Sequence, residues 1–146
     1  MSSDNNYRAT DAQGRWRHTF KTVVEEAKRA NALAWHLGDV MLAEVGPPDG
    51  SKKARRRLRA CLASIDERFD DPRIRKEARD LYLTAAAFPP ERRHPELCWE
   101  LHKAAGTPEI FNFIVAGHRK DPELSAKPLT VEFVAGIARL KARASS

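Results

Sequence analysis

Cysteine is nearly missing from this 146-residue chain: only Cys61 and Cys98 occur. Neither belongs to a C-x-x-C pair, which leaves no basis for a thiolate zinc site. Both lie beside apolar neighbours in helical patterns, so buried reduced thiols are expected, and a bridge between them would require the fold to bring them together. The seven glycines form no phosphate-cradling loop and no nucleophile elbow. With no paired catalytic signature either, neither an enzyme nor a cofactor is expected. No apolar run approaches the length of a membrane span, and residues 1–14 lack the apolar segment of a secretory signal. A cytoplasmic protein without membrane attachment is the resulting expectation. Strand-like alternation never extends far, and β-branched residues recur at helical intervals, which excludes a sheet and predicts an all-α fold.

What is present in excess is positive charge. The formal net charge is +6 and the sequence pI about 9.6, a balance that suits a polyanionic partner without naming it. The charge is clustered in residues 52–59, 73–79 and 92–93, and again at Arg139, Lys141 and Arg143, whereas residues 39–50 carry acids and no base. Clustering of this kind marks a footprint better than average composition does.

Along the chain, residues 1–15 are polar and are expected to form a disordered tail. Trp16, Phe20, Val23, Val24, Ala27, Asn31, Ala34, Leu37 and Met41 then follow one helical stripe that only Asn31 interrupts. The stripe is either one helix bent near Gly38 or two helices broken near Ala30–Asn31, and Gly46-Pro47-Pro48-Asp49-Gly50 ends it. Ser51 is placed to cap a helix reaching about Arg68, with Leu58, Cys61, Leu62, Ile65 and Phe69 inward. Asp71-Pro72 opens the next, with Ile74, Ala78, Leu81, Tyr82, Ala85 and Phe88 inward, and Pro89-Pro90 closes it. A helix over about 95–105 carries Leu97, Cys98, Leu101 and Ala105 inward and stops at Gly106. Thr107-Pro108 starts another, residues 117–128 read as a polar loop, and Thr130 caps a last helix to about residue 142. The expectation is a compact bundle of about six helices within a domain of residues 16–142, followed by a disordered tail at 143–146.

Two arginine-bearing helices meeting at Phe69-Asp70-Asp71-Pro72 have the form of a helix-turn-helix. In that arrangement Arg73, Arg75, Lys76 and Arg79 would face base edges, since arginine can fork to the two acceptors of guanine. Lys52, Lys53, Arg55, Arg56, Arg57 and Arg59 would neutralise phosphates and fix orientation, although not all of them can face one duplex. Asp66, Glu67, Asp70 and Asp71 oppose this by repelling phosphate. The plainer alternative is a solvated basic face on an ordinary bundle. A second group of residues, Pro89 to His102, places Cys98 and His102 one turn apart, a spacing metals use, yet no third or fourth ligand accompanies them. A packed cysteine and a hydrogen-bonded histidine explain the pair, and no metal is expected.

Three segments in order, Trp35-x-Leu37-Gly38-Asp39, Tyr82-x-x-Ala85-Ala86-Ala87-Phe88-Pro89-x-x-x-Arg93 and Trp99-x-x-His102-x-x-Ala105, flank the two-helix unit. This order resembles a group of helix-turn-helix proteins of actinobacterial plasmids, phages and chromosomes, over about residues 16–142. The resemblance implies DNA binding in regulation or replicon maintenance. It assigns 72–79 to the recognition helix, and Trp35, Gly38, Phe88, Trp99 and His102 to scaffold. Many members have a glycine in the turn, and Glu67 to Asp71 has none. The sequence thus predicts binding to double-stranded DNA by a transcriptional regulator, as a homodimer on half-sites ~34 Å apart. The rival from another class is a phage or plasmid factor gripping an acidic host protein. The last helix is expected to serve as core in preference to dimer surface.

Overall fold

The long N-terminal stripe breaks at Asn31. The computed structural model describes residues 30–65 and 70–144, together with Thr22 and Glu26. Most of the stripe before Ala30, the tail 1–15, the turn residues 66–69 and residues 145–146 lie outside the described residues. Among those described are seven α-helices and no strand: α1 (Ala32–Val45), α2 (Lys52–Ile65), α3 (Pro72–Ala87), α4 (Trp99–Ala105), α5 (Pro108–Lys120), α6 (Pro122–Ser125) and α7 (Val131–Ala144), with a 3-10 turn at Pro90–Arg92. The chain is all-α, as its periodicity predicts.

Asn31 takes φ 49° and ψ −66°, a tight three-residue turn closed by the Ala32 N–H on the Ala30 carbonyl. Its side chain reaches far along the chain. Nδ2 donates to the Leu97 carbonyl at 3.0 Å, and Oδ1 accepts a short bond from the Trp99 N–H. The polar interruption of the stripe is therefore a staple joining the start of α1 to the start of α4. Local signals fix the other helix starts. Asp71 accepts from the Arg73 N–H at 2.9 Å with Pro72 in the first turn. Thr107 caps α5, Asp121 caps α6 and Thr130 accepts from the Phe133 N–H. Gly46 at φ 88° ends α1, where the left-handed backbone favours glycine.

The densest helix pair is α1 with α3. Gly38 makes it possible: a Cβ there would lie 2.5 Å from the Leu81 carbonyl oxygen and 2.8 Å from the Ala85 Cβ. Ala34, Leu81 and Trp99 pack at this crossing. On one side of it, Val45, Leu58, Leu62, Ala78 and Tyr82 join α1, α2 and α3. On the other, Phe88, Leu101, Ala105, Phe111, Ile114, Val115 and Val134 join the end of α3 to α4, α5 and α7.

Three expectations change. The helix expected from about residue 95 begins at Trp99, because His94 to Leu97 form a turn whose His94 N–H donates to His102 Nε2 at 3.0 Å. Cys98, expected inward, therefore precedes the helix as its extended N-cap residue and is exposed, whereas Leu101 and Ala105 are buried as expected, together with Trp99 and His102. Cys61 is half-buried against the α1–α3 cluster, and both thiols are free. Second, the stretch expected to be a polar loop contains the end of α5 and all of α6. Third, α7 continues past 142 to Ala144.

Candidate nucleic-acid interface

On α2, Ala54, Leu58 and Leu62 are buried, and 100° per residue fixes where the cations point. Arg55 and Arg59 lie on one flank of the buried row, and Lys52 and Arg56 continue that flank outward. Lys53 turns to the other side. Arg57 takes the opposite flank, where its Nε donates to the Val45 carbonyl at 3.0 Å. The Tyr82 hydroxyl donates to the adjacent Gly46 carbonyl at 2.6 Å. Arg57 thus ties α2 to the end of α1 and is withdrawn from any footprint.

On α3 the buried residues are Ile74, Ala78, Leu81, Tyr82, Thr84 and Ala85. Arg75 and Arg79 flank that row on the side facing α2, whereas Arg73 points well away from Arg79. Lys76 donates to Asp80 at 3.2 Å, and Asp80 also takes Lys103 from α4 at 3.0 Å. Burial pushes the Asp80 carboxyl up, but the two ammonium groups outweigh it and leave it below its ordinary range.

The two flanks meet. Asp70 accepts from Arg59 through both carboxylate oxygens, at 2.8 and 3.0 Å, and takes a short bond from Arg75. The Arg59 hydrogen bond, with help from Arg75, holds the Asp70 carboxyl below its usual range, and Asp70 in turn raises Arg59. Further along α3, Arg55 and Arg79 line a single cleft of about 360 Å³ walled by Pro48, Ala54, Leu58, Tyr82 and Leu83. Neither makes an ion pair with any described residue. One arginine pair therefore encloses a carboxylate supplied by the chain, and the other lines an open cleft with no acid in its wall.

The ten cations singled out in the sequence accordingly divide. Arg55, Arg59, Arg75 and Arg79 share one face, with Lys52 and Arg56 beside it. Lys53 and Arg73 point elsewhere, Lys76 is held by Asp80, and Arg57 by the Val45 carbonyl. Sequence reasoning did not find that Asp70 serves two arginines. The clue was an acid at the turn flanked by arginines on both helices, which reads equally well as a repulsive group.

The cations at 92–93 are occupied within the fold. Arg92 pairs with Glu109 at 3.0 Å. Arg93 donates to the Phe88 carbonyl at 2.7 Å, forks onto Asp39 at 3.0 and 2.7 Å, and lies 4.1 Å over the Trp35 ring. Residues of the first two sequence segments thus form one clamp between α1 and the turn after α3. The third segment sits below it. His102 is fully buried among Trp35, Phe88 and Phe111. Its Nδ1 lies 2.9 Å from the Cys98 carbonyl and its Nε2 accepts from the His94 N–H. These partners fix the neutral Nδ1–H tautomer, and burial lowers its pKa. Both ring nitrogens are engaged, so neither has a lone pair for a metal at the Cys98–His102 spacing. Among the described residues no three His, Cys, Asp or Glu side chains group as a metal site, and no helix is long and apolar enough to cross a membrane.

Compared with known proteins, the chain matches no family model, no curated protein and no solved structure.

Proposed function

We propose that this chain binds double-stranded DNA through the face shared by α2 and α3, as a transcriptional regulator of a mobile element or its host. The observation that carries the reading is the pair of arginines, Arg55 and Arg79, lining one cleft whose wall holds no acid. Like charges brought together repel unless an anion sits between them. The neighbouring pair, Arg59 and Arg75, shows the arrangement filled, with Asp70 as the anion. A backbone phosphate carries the same single negative charge, and its two non-bridging oxygens can accept the same guanidinium fork. Lys52 and Arg56, exposed beside this face, add sequence-independent attraction. The order of motifs around the two helices supports the same reading, with 72–79 as the segment that meets base edges.

A salt titration of binding to random and genomic duplexes tests it. Each phosphate contacted contributes about −0.9 to the log–log slope. Arg55→Ala with Arg79→Ala should flatten that slope by about 1 to 2 and weaken every duplex. Enrichment of one sequence from a random duplex pool would establish specificity. Absence of binding to any duplex at low salt would refute the reading and leave the basic face to an acidic protein surface.

A further inference from the structure

We propose that α7 is a homodimerisation helix, pairing antiparallel with α7 of a second copy about an axis near Gly136. Only one side of α7 enters the core, through the fully buried Val134 and the half-buried Ile137. Phe133, Gly136 and Leu140 follow i, i+3 and i+7 spacing along a second, outward stripe. Within it Phe133 is 36% and Leu140 60% exposed. Phe113 of α5, 54% exposed, extends this surface, held against the end of α7 by Lys141, whose Nζ lies 4.2 Å from the ring centroid.

Gly136 is the second observation. A glycine inside a helix is less favourable than alanine. Gly38 has an internal reason, since its Cβ would strike α3. A Cβ at Gly136 would meet nothing nearer than an Arg139 side-chain nitrogen at 4.0 Å. The small residue leaves room on the outside of the protomer, where a second helix can approach.

Charge selects both the occupant and the direction. Glu132 and Arg139 lie seven residues apart on the same flank of the stripe. In an antiparallel pair Glu132 approaches the partner's Arg139, Phe133 meets the partner's Leu140, and the two helices cross closely at Gly136. In a parallel pair Glu132 would instead face the partner's Ile137, and the charge pairing would be lost. The surface is therefore complementary to itself in one orientation. A 14-residue helix is ~21 Å long, and a face of that length is smaller than a standard interface. The dimer should dissociate in the micromolar range.

Sedimentation equilibrium of the full chain without nucleic acid tests this independently of DNA binding. Wild type should show a reversible monomer–dimer equilibrium. Leu140→Asp, at an exposed position, should weaken it by about tenfold or more, with an unchanged helical circular dichroism spectrum. Phe133→Ser serves as a second variant should the first fold poorly. Glu132→Arg should weaken the dimer, and adding Arg139→Glu should restore it. A wild type that stays monomeric across the range, including one whose residues 1–29 cover the stripe, would overturn the proposal. So would a dimer indifferent to both apolar substitutions.

Discussion

Replacing Asp70 by Asn removes the carboxylate that Arg59 and Arg75 share while keeping the side chain's size. In the native protein both guanidiniums are occupied by an internal anion, so a duplex must displace it before either can take a phosphate. In Asp70→Asn both are free at the start, and one phosphate-repelling charge is gone. Two added phosphate contacts steepen the log–log salt slope by about 1.8. Between about 200 and about 50 mM salt, the affinity advantage over wild type should then grow roughly tenfold. Fluorescence anisotropy on a labelled random duplex at four salt concentrations reads both quantities. Asp80→Asn is the control: it also removes an acid that holds two cations, Lys76 and Lys103, but away from the Arg55–Arg79 cleft. The reasoning is refuted if the two variants steepen the slope equally, or if Asp70→Asn leaves slope and affinity unchanged.

Other expected outcomes concern the frame that carries this face. Gly38→Ala should destabilise by about 1–3 kcal/mol in urea unfolding despite alanine's better helix propensity, because α1 must move off the Leu81 carbonyl. Gly136→Ala, with open space around it, should raise stability by about 1 kcal/mol. Arg93→Lys keeps the charge but cannot reach Phe88 and fork onto Asp39 together. A loss of about 1–3 kcal/mol is expected, limited because the Asp39 end is open to water. His102 has a folded pKa below its ordinary 6.5, so the unfolded chain binds the proton more readily. Stability from the neutral ring is then complete above pH ~6.5 and declines as pH falls toward the folded pKa. Tm should drop between pH 7 and pH 5, and His102→Gln should flatten that dependence whatever its own stability.

Much of the helical layout was legible because its signals are local. Asp71-Pro72, Thr107-Pro108, Thr130 and Gly46 act within one turn, and the structure uses each where the sequence places it. What stayed hidden depends on partners far along the chain. Asn31 bonds to residues 66 and 68 positions away, and no periodicity encodes that. Cys98 turned outward because the His94–His102 hydrogen bond moved the start of α4, an effect no local cap announces. In the candidate site the cations were legible as charge, but their pairing was not. Asp70 read as an obstacle to phosphate, and the fold surrounds it with two guanidiniums. Arg57 looked equivalent to its neighbours until the carbonyl of Val45 gave it a place.

The clamp between α1 and α3 separates the molecule into unequal parts. Gly38 against Leu81, and Arg93 against Asp39 and Trp35, bind those two helices into a rigid chassis. Helix α2, with six of the ten cations singled out in the sequence, rests on that chassis through Leu58, Leu62 and the Arg57 bond. Its backbone amides should therefore exchange with deuterium sooner than those of α1 and α3. A polyanion would then engage first the segment whose tilt is easiest to adjust, letting it settle along the strand before the chassis is committed.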